Sequence, residues 1–292
     1  MGSGGAAPEK EMTERSEGIP GARAHTSIGS DAPPPPPGSS GAVQARPRRP
    51  RPALVAVFAY TLRACVPARR RVVLVLPTLA AVAFGLLSQA TGEPAPQAFS
   101  SVAGLALFGL VVPLACLVLG DAVLGAEVRA GTLAFTWLAP VPFPVIVIGR
   151  WLAGWAAAVG SLVPAAVAGA VAAGAPQSAG PAVAGVVAGS AAYIAVFVMI
   201  GCTVRRAAVW SLALVFLVER LLGAALTGIA QLSPTWESQA VFNGYADGTF
   251  AQVRDGIPRG GDAIVRLALV TAITLAVAAW RLSHLRLSGA GD

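Results

Sequence analysis

Two places in this 292-residue sequence set ionisable side chains among long apolar runs. The first is GDAVLGAEVRAGTLAFTWLAPVPFPVIVIGRW, residues 120–151, where Glu127 and Arg129 precede Gly131, Thr132 and Leu133. Phe135 and Trp137 follow, and Pro140, Pro142 and Pro144 end any helix there. The pattern reads as an intracellular elbow between two membrane spans, with Leu133, Phe135, Trp137 and Leu138 placed to dip one face into the interface. Glu127 can equally cap or neutralise Arg129 at a membrane surface. The second place is Glu219–Arg220, inside FLVERLLGAAL. A charge at the centre of a membrane span costs about 2.5–3.5 kcal/mol on insertion scales, so it needs a reason to be there. Neighbours on a helix point about 100° apart and are poor partners for each other. Glu219 is expected to face protein or a water-filled path, for packing or as part of a route, and Arg220 to snorkel outward. An equal reading is that the outer half of this helix is wet because the next segment folds back.

Catalytic constellations are missing. There is no G-x-x-x-x-G-K-S/T loop, and the only lysine, Lys10, lies far from any apolar run, so a nucleotide phosphate has no P-loop cradle here. Neither G-x-S-x-G nor H-E-x-x-H occurs, and the two histidines, His25 and His284, are remote from each other in sequence. Cys65, Cys116 and Cys202 show no C-x-x-C spacing and read as small apolar packing residues. The chain is expected not to be an enzyme by itself and to carry no metal or cofactor.

The elements that would position the two charged sites follow from composition. The chain is 55% hydrophobic and only 12% charged, with a mean hydropathy of +0.68, against about 25% charged in soluble domains. Its net charge of +7 is read as membrane topology, not as nucleic-acid binding. Residues 1–52, rich in Gly, Ala, Ser and Pro, read as a disordered cytoplasmic tail ending in a basic ARPRRPRP arm, which lies on anionic lipid headgroups in the favoured reading and docks a partner in the other. Residues 53–66 are apolar but too short to span, and read as an interfacial helix. Six runs long enough to span begin near Val72, Ser101, Trp151, Ala182, Ala207 and Ala263. Helices satisfy every backbone polar group within the segment, and no barrel-like alternation appears. Gly185 and Gly189 form a GxxxG, a spacing that lets helices approach closely and serves some dimer faces.

Arginines at 69–71, 129 with 150, 205 with 206, and 281 with 286 fall on alternate sides of these runs. The loops after the first and third runs carry no Lys or Arg, so both termini are expected to be cytoplasmic. The long loop after the fifth run holds Arg254 and Arg259, offset by Glu237, Asp247, Asp255 and Asp262. The fold class expected is therefore an all-α polytopic membrane protein with six transmembrane helices. An N-terminal interfacial helix precedes them, and a cytoplasmic elbow helix lies between the second and third spans, which the resemblance below makes a coupling helix.

The segment after the second run resembles the permease subunit of ABC-2-type transporters, bacterial exporters whose ATPase is often a separate chain. That family's E-x-x-x-G-T-L, with a proline some residues on and a basic residue opening the third span, is matched by Glu127, Gly131, Thr132, Leu133, Pro140 and Arg150. FLVERLLGAALTGIAQLSPTWESQAVFN is similar to permeases with an acid in the fifth span and a proline-containing segment that re-enters before the sixth. The likeness spans residues 53–287, leaving 288–292 as a short C-terminal tail. It implies a homodimer or heterodimer of permeases in the bacterial plasma membrane. It further implies an ATP-binding subunit that holds ATP and Mg and pushes on the coupling helix, with membrane lipids as the other partner. The rival is a six-span protein without ATPase coupling, either a secondary transporter or an assembly and anchoring protein.

Overall fold

A computed structural model of the chain describes residues 52–66, 72–125, 141–204, 206–246 and 258–284, all within the unit that begins at Pro50. Among the described residues every regular element is helical and no strand occurs. In chain order, α1 is Ala53–Cys65, α2 is Val72–Gln89, α3 is Ala95–Val123, α4 is Phe143–Ala172 and α5 is Ala179–Thr203. Next, α6 starts as Ala207–Ala213, continues as a π-helical stretch, Leu214–Leu222, and ends with Gly223–Ala225. The last two are α7, Pro234–Tyr245, and α8, Gly261–His284.

Four of these are long and apolar enough to cross a membrane: α3, α4, α8 and α5 with the turn that precedes it from Pro176. The first and fifth apolar runs of the sequence form the shorter helices α2 and α6. α6 does not continue straight. Its turns widen to π winding, it breaks at Leu226, a single turn Thr227–Ala230 follows, and Pro234 opens α7 in a new direction. In α3 a π-helical stretch, Ala103–Val111, leads up to Pro113, whose ring nitrogen has no hydrogen to donate.

Large apolar side chains lie outside the bundle as well as inside it. Along α4 the buried positions from Ala153 onward are small except for Leu162: Ala153, Gly154, Ala157, Ala158, Ser161, Ala165, Ala166, Gly169 and Ala170. Large apolar side chains such as Leu79 and Leu86 on α2, Leu217 and Leu221 on α6, and Leu269 and Ile273 on α8 are exposed. Small residues inside allow close helix approach, and bulky hydrocarbon outside suits a lipid solvent. This exterior marks a membrane-embedded protein.

Contacts set the helix directions. α2 follows the second half of α4 in parallel: the Ser161 hydroxyl donates to Leu74 O at 2.9 Å, and the Gln89 amide to Ala172 O at 2.5 Å. α1 packs against α4's first turns, where Gly149 lets Val57 come close. α4 and α5 are antiparallel, the Trp151 and Trp155 indoles donating to Ala191 O (2.9 Å) and Val187 O (3.1 Å). α3 is parallel to α5, Phe108 meeting Gly185 and Gly120 meeting Phe197. At 30 residues α4 is about 45 Å long, beyond the ~30 Å of a hydrocarbon core, so its first turns overhang one end. The opposite end closes at Gly174, whose left-handed φ of 75° lets Ala175 N donate to Ala170 O at 2.9 Å.

Candidate functional site

Two charged clusters stand out, one at an end of the bundle and one at its middle. At the end, Arg150 lies in the first half of α4, only 3% exposed. Its Nη1 donates to Val123 O at 3.2 Å, at the last described turn of α3. A guanidinium donating to a backbone carbonyl makes a charge-assisted bond, stronger than one between neutral groups. The bond joins the two helices that flank residues 126–140. Cys65 on α1 and Cys202 on α5 also lie within reach of the Arg150 charge, so four helices gather there. Burial pushes the Cys65 thiol up to about 11, against the pull of that cation.

At mid-bundle the fifth run delivers Glu219 inward. The π winding sets Val215 and Glu219, four apart, on the buried side, while Phe216 and Leu217 face out. Glu219 is 3% exposed. Its Oε2 accepts a hydrogen bond from the Tyr193 hydroxyl of α5 and another, at 2.7 Å, from the Thr235 hydroxyl of α7. The two hydroxyl oxygens also lie within hydrogen-bond distance of each other, so the three groups form one closed cluster. Tyr193 is wholly buried and stacks on Phe197, with ring centroids 5.6 Å apart. Three separate elements thus converge on one carboxylate, which hydrogen bonding from hydroxyls holds in place.

α7 makes this convergence possible by returning into the bundle. Thr235 lies at the depth of Tyr193, Ser238 rests on Gly185 and Gly189, and Phe242 meets Phe99 and Phe108. The helix therefore climbs from mid-bundle toward the end where α8 begins, and Gly260, with φ 62°, donates its N–H to Ala240 O at 3.1 Å to seat that start. α7 buries Glu237 completely. Neither carboxylate oxygen of Glu237 has a hydrogen-bond partner, and Arg266 Nη1 of α8 stands 3.7 Å from Oε1. Burial raises the Glu237 carboxyl to about 7, with Arg266 pulling it down. Beside Glu219 a cleft of about 470 Å³ opens between α5, α6, α8 and the Ser233–Pro234 step.

The residues singled out from sequence divide as follows. Glu127, Gly131, Thr132, Leu133 and Pro140 lie outside the described residues. Arg220 lies on the π-helical stretch, and its side chain is likewise outside the description. Glu219 is bonded across the bundle and also borders the cleft. The GxxxG of Gly185 and Gly189 is occupied within the chain by α7. Tyr193, Thr235 and the buried state of Glu237 went unseen in the sequence. The proline-led segment read as folding back before the sixth run anticipates the return of α7, but not which side chains it brings to Glu219. Among the described residues no cluster of three metal-ligating side chains occurs. The chain matches no family model and no curated protein.

Proposed function

We propose that this chain is the transmembrane permease subunit of an ATP-binding cassette exporter of the ABC-2 type, forming its pathway as a homodimer or heterodimer. A separate ATP-binding subunit drives it. In this reading α2, α3, α4, α5, α6 and α8 are six spans, both termini are cytoplasmic in a bacterial plasma membrane, and α1 lies at the inner interface. The observation that carries the reading is the Arg150–Val123 bond. It fastens together the two helices flanking the E-x-x-x-G-T-L segment, so a push on residues 127–140 reaches α3 and α4 as one body. Arg150, Arg206 and Arg281 belong to the end where α4 begins and α5 and α8 finish, the basic side of the topology. With no P-loop in the chain, ATP and its magnesium belong to the partner.

The test is capture of a P-loop ATPase. The wild-type chain, purified in mild detergent from its native host, should bring one down, and Glu127→Arg combined with Gly131→Trp should lose it. Absence of any ATPase from the wild-type sample, or equal capture by the double variant, refutes the coupling and leaves a six-span protein without an ATPase.

A further inference from the structure

We propose that Glu237 is a reversible proton-binding site whose occupancy latches α7 into the bundle. Its side chain is completely buried on a helix that packs against both α5 and α8. An ionised carboxylate offers about four lone-pair sites, and here neither oxygen receives a hydrogen bond. Arg266 Nη1, at 3.7 Å, stands beyond hydrogen-bond reach, and with its side chain 40% exposed its charge is screened. The neutral acid in the same place leaves a hydroxyl and a carbonyl unpaired, which costs far less than a buried charge with no donor. Arg266 draws the proton off and burial draws it back, so the two forms exchange near neutral pH.

Among the described residues, Arg266 is the one charge that acts on this carboxyl. The stretch of α3 against α7, Ala103–Val111, holds no titratable group, and α5 brings only Tyr193 and Cys202. Tyr193 is bonded to Glu219 of α6, beside Arg220, whose side chain is outside the description. Arg259 and Asp262, where α8 begins, and Tyr245, where α7 ends, are exposed, and Arg281 and His284 lie at the far end of α8. Nearby hydroxyls are engaged elsewhere: Thr235 donates to Glu219, Ser238 to Pro234 O and Thr271 to Leu267 O. When Glu237 ionises, α7 therefore holds a charge that nothing around it solvates, and the helix loosens. Thr235 sits two residues before Glu237, so a loosened α7 also withdraws a donor from Glu219.

The test uses the full chain in lipid nanodiscs. Infrared titration should show the carbonyl band of a neutral carboxylic acid that fades as pH rises and is missing in Glu237→Gln. In Arg266→Gln the midpoint should move up by about one pH unit or more, because the opposing cation is gone. Hydrogen exchange of the α7 amides, corrected for the chemical rate at each pH, should quicken by up to about tenfold per pH unit between about pH 5 and about pH 8 in the wild type. It should stay level in Glu237→Gln. Arg266 is partly exposed, so its variant decides the matter even if Glu237→Gln fails to fold. A Glu237 ionised at every pH, an unmoved midpoint in Arg266→Gln, or α7 exchange that follows the chemical rate alone overturns the proposal. The site is read on the chain alone: its failure leaves the ATPase-capture result standing, and a failed capture leaves this site standing.

Discussion

Gly185 offers a direct test of whether α7 returns into the bundle. A Cβ added there falls 2.7 Å from the carbonyl oxygen of Ser238 and 2.9 Å from two ring carbons of Phe108. The carbonyl belongs to the backbone of α7 and cannot rotate aside. Overpacking of this kind costs about 1–3 kcal/mol. Against it stands the backbone gain of Gly→Ala inside a helix, about 0.8–1.0 kcal/mol. Gly160, in the middle of α4, supplies the control, since a Cβ there meets nothing within 4 Å. The backbone gain is common to Gly185→Ala and Gly160→Ala, so their difference isolates the steric cost. At about 2–4 °C per kcal/mol, Gly185→Ala should melt roughly 2–12 °C below Gly160→Ala in thermal unfolding of the purified protein. A companion variant sharpens this. A Cβ at Gly189 clashes with Ser238 Oγ and stands 3.0 Å from Ser238 Cβ, so Ser238→Ala should relieve Gly189→Ala in part but leave Gly185→Ala unrelieved. If the Gly185 and Gly160 variants melt together, α7 does not lie on α5 and the site built on it fails.

Two further outcomes follow from the buried charges. Glu237 is raised from an ordinary 4.5 to about 7, so the native state keeps its proton over a window where the unfolded chain has released it. Stability from this group is full below that window, declines by up to about 1.4 kcal/mol per pH unit across it, then levels off. Melting temperatures from about pH 5 to about pH 8 should fall more for the wild type than for Glu237→Gln, and parallel profiles refute the assignment. Arg150→Met removes a charged hydrogen bond worth about 1.5–3 kcal/mol and frees α3 from α4 at the flanks of residues 126–140. It should lower both the melting temperature and ATPase capture, with Arg150→Lys intermediate, and unchanged values for both would sink the idea.

Much of the fold is legible in the residues. Long Ala-, Val- and Leu-rich runs can only be helices in lipid, and Pro142 and Gly174 mark the edges of α4 as their backbone chemistry requires. The fifth run is the exception. Its length promises a span, yet π winding and the break at Leu226 leave Glu219 at mid-bundle, and PTWESQAVFNGY, part of a long loop whose start was read as folding back, becomes a helix within it. Glu237 was invisible for the same reason, since in a loop it only offsets nearby arginines. The GxxxG permits a close approach to α5, and only the structure shows that α7 makes it.

The sequence by itself determined the solvent, the helical class, the alternation of basic ends, and the oddity of an acid at position 219. Those properties depend on composition and on neighbours within a few residues. The partners of that acid were decided only by tertiary structure. Tyr193 and Thr235 stand 26 and 16 residues away from Glu219, on different helices. Periodicity tells which face of a helix is buried, but not which helix covers it or at what depth. That depth is set by where Gly185 and Gly189 leave room for another backbone, which makes a loop-like segment the third wall of the site.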